Sequence, residues 1–404
     1  MTPNESLNLS IQFKELLQHD LLHAFSDHLP VKIIDEQADK VMKASRQRVF
    51  TPCNTVLTML VSAVQEDKSL QNACNIFKEV FERRNKELVD AEAACLLQKR
   101  HEESLVKRKK GRPRKYKTQI RKSQQKPLSN STAGYAIARK KLDKSIFESV
   151  FAHSTHFGDL EKESWNGLKT FITDGCYLQL QDTGEIKKDY AVKGMEESYP
   201  QALLQVLIRQ GSGQTSQIAL GSRHTSELRL VTDMIKKLEA DSLLLADDLY
   251  NAYYHFCLIL LQRCHMTVPG KRDRKYKVIR DISDNDQIVE ISKTACPDYV
   301  TKEEWDSLPE SILLRRISYT YPTKNGVEPA ILYTTILDEK INAVDIVAKY
   351  AFRWDIEITI REIKTLMDIN VLRSKTPDMM EKELLIALTA YNTVRKIIAQ
   401  SRLS

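Results

Sequence analysis

Residues 242–247 read Ser242-Leu243-Leu244-Leu245-Ala246-Asp247. A short apolar run ended by an acid is the pattern of a strand buried on both faces, as strands of a parallel sheet are. Helical periodicity lies on either side of it, over 226–238 and again over 252–263. A buried strand between two helices is the repeating unit of an α/β sheet. Working outward, Leu168–Leu180 is rich in β-formers. Ala202–Arg209 and Gln217–Leu220 are two further strands, separated by Gly211–Gly213 as a turn. Beyond the second helix the pattern is β again, with strands predicted at Lys277–Ile282, Gln287–Ile291, Ile312–Tyr321 and Ala330–Leu337. Two long helices close the chain, Asn342–Met367 and Asp378–Ser401, and no internal repeat is visible.

Residues 1–106 read as all-helical, with no glycine before Gly111. Thr51-Pro52 is a helix start, the hydroxyl serving as N-cap and the proline filling the first turn. Val56, Leu57, Leu60, Val61 and Val64 then recur at helical spacing. Ser69 is a second N-cap, ahead of Leu70, Cys74, Phe77, Val80 and Phe81. A helix over 132–153 leads into the α/β region, which begins near Trp165.

The 404 residues carry a net charge of +7, with 42% hydrophobic and 28% charged residues, a composition that supports two or three packed domains. The charge is uneven. Lys107–Lys126 holds eleven Lys or Arg and no acid, so the other 384 residues sum to −4. The centre of this strap, Lys109-Lys110-Gly111-Arg112-Pro113-Arg114-Lys115, resembles an AT-hook. An extended, proline-constrained strand is thin enough for a narrow minor groove, where arginines meet concentrated negative potential. The alternative is a solvated basic linker that meets phosphates without selectivity. No apolar run reaches the ~18 residues of a membrane helix, and the first residues lack a secretory pattern. Seven scattered cysteines form no CxxC pair. That argues against a disulfide framework or a zinc site and points to a reducing cytoplasm.

The helix predicted over 342–367 carries Tyr350, Arg353, Glu357 and Lys364, which at ~100° per residue fall within about a 60° arc. A carboxylate among cations suits a site that handles metal and phosphate together; a surface helix laced with ion pairs is the alternative. Two aspartates favour the site. Asp174 lies inside an apolar strand, where an ionised group is expensive unless paired or liganded, and Asp247 ends a buried strand at the edge where α/β sheets place their sites. Three carboxylates can hold two Mg²⁺ about 4 Å apart, and hard oxygen donors favour Mg²⁺ or Mn²⁺ over zinc. His153, His156, His224, His255 and His265 share no ligand spacing and read as structural or surface residues. No Gly-x-Ser-x-Gly elbow supports a hydrolase.

The spacing Tyr350-x2-Arg353-x3-Glu357-x6-Lys364 resembles the Y-R-E-K signature of DDE transposases of the insertion-sequence-four (IS4-type) family. Phe171-Ile172-Thr173-Asp174-Gly175 resembles that family's first-aspartate strand, and Leu244-Leu245-Ala246-Asp247 its second. Ala138–Leu142, Leu372–Pro377 and Ala390-Tyr391-Asn392 are similar to flanking family stretches, and the likeness spans about 130–404. It implies an α/β, ribonuclease-H-like catalytic core interrupted by a β-rich insertion. The expected order is a helical DNA-binding region (1–106), a basic linker (107–127), a lead-in helix (128–158), the first part of the core (159–265), the insertion (266–338) and the C-terminal helices of the core (339–404).

The resemblance implies that Asp174, Asp247 and Glu357 are the catalytic, metal-holding acids, and that Tyr350, Arg353 and Lys364 contact DNA phosphates. Lys109, Lys110, Arg112, Arg114 and Lys115 would bind DNA through the strap. The implied partners are double-stranded DNA, as terminal inverted repeats and as target, and a second copy of the chain in a synaptic complex. No membrane is implied, and the location would be the cytoplasm, at the nucleoid. Some members pass through a hairpin DNA end with a flipped base stacked on an aromatic, a role open to Trp305, Tyr321 or Tyr333. One departure is Asp248, where many relatives carry Arg. The competing readings are an inactive, domesticated DNA-binding relative and a structure-specific nuclease on the same fold.

Overall fold

The computed structural model describes residues 29, 31–42, 49–79, 131–158, 164–191, 199–270, 274–324 and 326–401. The basic strap, including Lys109, Lys110, Arg112, Arg114 and Lys115, lies outside them. The chain divides into two compact units, Met1–Asp143 and Lys144–Ser404.

The first unit is helical over its described residues: α1 (Val31–Val41), α2 (Pro52–Val64), a helical stretch at 70–79 and α3 (Ala133–Lys141). Both predicted caps form. Thr51 Oγ1 accepts from Asn54 N at 3.2 Å, and Ser69 Oγ accepts from Asn72 N at 3.1 Å. Phe50 joins the elements, with its ring 4.9 Å from Phe77 and 5.4 Å from the buried Tyr135. The helix expected over 132–153 is two helices, because Leu142 leaves helical geometry at ψ 134° with its side chain buried.

The second unit is built on one nine-stranded sheet: β1 (Lys169–Gln179), β2 (Gln201–Arg209), β3 (Thr215–Ser222), β4 (Ser242–Leu245), β5 (His265–Pro269), β6 (Lys277–Ser283), β7 (Asp286–Ser292), β8 (Ser311–Thr323) and β9 (Gly326–Thr334). Their order across the sheet is β3-β2-β1-β4-β5-β9-β8-β7-β6. β1 is antiparallel to β2 and parallel to β4, and β4 is parallel to β5. Residues 242–245 are thus a central parallel strand, buried throughout. Helices α6 (Glu227–Ile235) and α7 (Tyr253–Leu261) supply the crossovers that parallel pairing requires, and α7 is apolar nearly all round because it is buried.

The 266–338 stretch is not a separate layer. It begins with β5 and returns through β9, which pairs antiparallel with β5, so β6–β9 prolong the same sheet. Its strands are tied by a buried ion pair. Arg315 on β8 donates from Nε to Asp286 Oδ1 at 2.8 Å and from Nη2 to Asp286 Oδ2 at 2.5 Å. Its Nη1 donates to the carbonyls of Asp338 and Ile341, at the entry to the helices that follow.

Those helices are α9 (Ala343–Ala351), a 3₁₀ turn (Phe352–Trp354), α10 (Asp355–Leu366) and α11 (Pro377–Ser401). The single helix expected over 342–367 is therefore broken at its middle. The tighter 3₁₀ turn resets the phase of the residues beyond it. Helix α11 packs on α4 (Lys144–Ser154). Its Asn392 completes the edge of β3 as a strand would, accepting from Thr215 N at 2.8 Å and donating to Thr215 O at 2.9 Å.

Candidate active site

Strand register brings the two aspartates together. Ile172 on β1 pairs with Leu245 on β4 in a parallel ladder. Asp174 and Asp247 each lie two residues beyond that pair, at the same C-terminal end. Adjacent strands run ~4.8 Å apart and side-chain direction alternates, so positions 174 and 247 fall side by side on one face. Asp174 is a mid-strand residue opposite Val206 of β2, not a strand-end turn residue. Asp247 starts the 3₁₀ turn Asp248–Tyr250, its Oδ1 accepting from Leu249 N at 2.9 Å. Asp248 is exposed, whereas Asp247 is half-buried.

The electrostatics are those of acids crowded together. Burial raises the Asp174 carboxyl to about 6; the Gly175 N–H partly opposes this, the charges of Asp247 and Glu227 add to it, and Arg353 opposes it. Burial also raises Asp247, which gains from the Leu249 N–H and from Arg353 but is pushed further up by Asp248. Arg353 is buried and is the cation that both aspartates feel. It lies 4.2 Å from the Trp354 ring centroid, and its Nη2 is 3.5 Å from Glu357 Oε1. Glu357 is exposed. Among the described residues no three His, Cys, Asp or Glu side chains gather closely enough to hold a metal ion. The two aspartates fit a hard cation in kind, being crowded oxygen donors with incomplete compensation, while Glu357 stands apart from them.

Of the other two predicted contacts, one falls differently from the helical-wheel expectation. Tyr350 is turned inward, and its hydroxyl donates to Ala246 O at 3.2 Å. It thus braces the residue before Asp247 instead of presenting a phenol to phosphate. Lys364 remains on the outer side, its Nζ donating to Tyr177 O of β1 at 3.1 Å. Trp305 is no stacking platform: it is buried edge-on against Tyr253, with Lys293 over its ring. Tyr333 is buried as well, and Tyr321 alone of the three is exposed.

Three residues at the site have no counterpart in the sequence reading. Gln205 Nε2 donates to Thr173 Oγ1 and to Tyr250 Oη, each at 2.8 Å. Tyr250 Oη donates to Glu227 Oε2 at 3.0 Å. Glu227 occupies space that Gly175 leaves open: a Cβ there would meet its Cδ at 2.7 Å. The glycine beside Asp174 is the one signal in the sequence that a neighbour approaches closely. Glu227 itself reads as an ordinary acid in the first turn of a helix.

Residues 165–393 match the family model described as Transposase DDE domain, a span of more than half the chain. The chain belongs to the DDE transposase family. Its relative "Transposase InsG for insertion sequence element IS4" from Escherichia coli (strain K12) is 26% identical over 271 residues, covering 64% of this chain. The chain spans 59% of that relative's length. A solved synaptic complex of piggyBac transposase with hairpin DNA aligns over 95% of this chain and 76% of that one, with TM-score 0.46 and 11% identity. The DDE transposase match contains both aspartates, Glu357 and all nine strands. No helix among the described residues is long and apolar enough to cross a membrane.

Proposed function

We propose that the chain is a transposase of the IS4 type that cuts and joins DNA at the ends of its element, on a ribonuclease-H-like core. The observation that carries this reading is the register that sets Asp174 and Asp247 side by side, with Arg353 as their shared cation. The sheet order β3-β2-β1-β4-β5, with two antiparallel strands ahead of a parallel trio, supports the core assignment.

Asp174 and Asp247 would hold Mg²⁺, or Mn²⁺ in its place, and Glu357, which stands apart from them in this structure, would have to turn toward the ion to join them. Two such ions, when bound, supply Lewis-acid activation of the attacking oxygen and neutralise charge on the phosphate and the departing oxygen. The chain's own groups do the rest. Arg353 limits repulsion between the aspartates and offers a guanidinium to a phosphate. Lys364, fixed on the Tyr177 carbonyl, places a second cation three residues along β1 from Asp174. Tyr350 holds the strand end that carries Asp247. Water first hydrolyses a phosphodiester at the element's end, and the freed 3′-hydroxyl then attacks target DNA. No covalent bond to protein forms. The partners are double-stranded DNA at terminal inverted repeats and at the target, with a homodimer in the synaptic complex, in the cytoplasm at the nucleoid. The basic strap adds phosphate contacts, and deleting Lys107–Lys117 flattens the salt dependence of binding.

Glu357→Gln tests the assignment on DNA carrying both flanks of the gene. End binding in a gel shift is retained, and Mg²⁺-dependent cleavage falls by ~10³-fold or more, the scale of losing a group that stabilises transition-state charge. Full cleavage by the variant would overturn it. A wild-type protein that binds these ends and cuts nothing would be the inactive DNA-binding relative.

A further inference from the structure

Beyond Ile172, β1 loses its β4 partner, because β4 ends at Leu245. The segment that carries Asp174 is then laddered on one side only, by β2. Backbone pairing therefore leaves the distance between Asp174 and the Asp247 turn unspecified where it matters most. Side chains on the opposite face of β1 take over. Thr173 and Gly175 flank Asp174, and strand alternation turns both of them to the face that Asp174 does not use. Gln205, opposite Gly175 on β2, reaches across that face to Thr173 Oγ1 and Tyr250 Oη. Thr173 Oγ1 in turn donates to Val206 O at 2.9 Å. Tyr250, three residues after Asp247, donates onward to Glu227, whose carboxylate fills the hollow over Gly175.

We propose that Gln205, Tyr250 and Glu227 form a positioning network that sets the spacing between Asp174 and Asp247. It locks the residues on both sides of the first aspartate to the turn that begins at the second. Gln205 is fully buried, and its Oε1 finds no partner among the described residues. A buried amide left half-satisfied costs stability, so a purely structural role would favour an apolar residue here. Tyr250 donates in one direction only, because burial and the neighbouring Glu227 charge keep its phenol protonated. This inference rests on the reading of the site as a metal-dependent DNA-cutting centre.

The test uses the full chain, a supercoiled plasmid carrying both gene flanks, and Mn²⁺ titrations followed by thermal midpoint in the absence of DNA. Tyr250→Phe removes one hydroxyl and keeps the ring. It binds the flanks as the wild type does, cleaves at least ~10-fold more slowly at saturating Mg²⁺, and needs several-fold more Mn²⁺ for half its thermal response. Glu227→Gln still accepts the phenol proton and stays within about 3-fold of wild type in both readouts. Glu227→Leu behaves as Tyr250→Phe does, and this pair decides the matter if Tyr250→Phe folds poorly. Unchanged cleavage and Mn²⁺ midpoint in Tyr250→Phe and Glu227→Leu would overturn the network. So would a Glu227→Gln as impaired as Glu227→Leu, since the charge alone would then matter. If the wild type cuts no DNA but the Mn²⁺ midpoints separate as stated, the transposase reading fails and the network stands. A wild type with neither response overturns both.

Discussion

The same sheet buries carboxylates in two places and treats them in opposite ways. At Asp286 the acid meets a fork of two N–H donors from Arg315, and the remaining guanidinium nitrogen is satisfied by two carbonyls. At Asp174 the nearest charged groups include two more acids, and one arginine is shared between the aspartates. The first arrangement is closed: nothing further is needed to balance it. The second is open, with negative charge in excess of what the protein supplies. A folded chain keeps such an imbalance where a ligand of opposite charge resolves it, and perturbed carboxylates in a cluster mark function more often than architecture.

The largest effect expected from breaking this contrast is at the open site. Asp174→Asn removes the repulsion together with the chemistry: cleavage falls by ~10³-fold or more. The thermal midpoint of the metal-free protein at pH 7 rises by a few degrees. The sign follows from the raised carboxyl. With a folded value of about 6 against about 3.9 unfolded, the native state holds a proton between pH 4 and 6 that the unfolded chain has released, so wild-type stability falls as pH rises through that window. The variant lacks this slope. Melting curves from pH 4 to 7 in chelator check it, and a midpoint that drops in the variant would mean that Asp174 stabilises the fold.

Next is the closed pair. Arg315→Met leaves Asp286 buried and alone and costs ~3–5 kcal/mol in denaturant unfolding, whereas adding Asp286→Leu restores most of the loss. A double variant as unstable as the single one would show that the carbonyl contacts, not the charge balance, set the cost. The smallest effect belongs to His255, a buried base near neither pair's charges. Burial holds it down to about 4, with Thr232 Oγ1 and the Leu228 and Tyr250 carbonyls around its ring. Its contribution to stability is present above pH 6.5 and is lost as pH falls toward 4, by no more than about 3 kcal/mol. His255→Gln should flatten the acid limb of the stability profile; an unchanged limb would place the acid sensitivity elsewhere.

Much of this was legible in the residues. The run 242–247 announced a central parallel strand, and the Gly211–Gly213 turn announced the β2–β3 hairpin, because both are local signals. The aspartates could be singled out since ionisable groups in apolar strands need a reason to be there. What stayed hidden was long-range or conformational. Helical periodicity over 342–367 is blind to a 3₁₀ turn at Phe352–Trp354, since the apolar spacing of the two patterns differs by a fraction of a residue. Tyr350 was therefore assigned to the phosphate side when it faces the strand end. Gln205 and Glu227 carry no local mark of importance, because their role exists only once β2, the Tyr250 turn and α6 have met. Trp305 illustrates the reverse: an aromatic in a β-rich segment invites a binding role, and packing against Tyr253 accounts for it.

The pairing of β9 with β5 also imposes an order of events. Glu357 lies 110 residues after Asp247 in the chain, on the far side of four strands that extend the sheet. During synthesis the two aspartates can therefore take their places while Glu357 has yet to leave the ribosome. The helices that carry it follow β9 directly, and their entry is pinned by Arg315 only after β7 and β8 exist. On the proposed function, a nascent chain holds an incomplete site until the helices that follow β9 have emerged and packed.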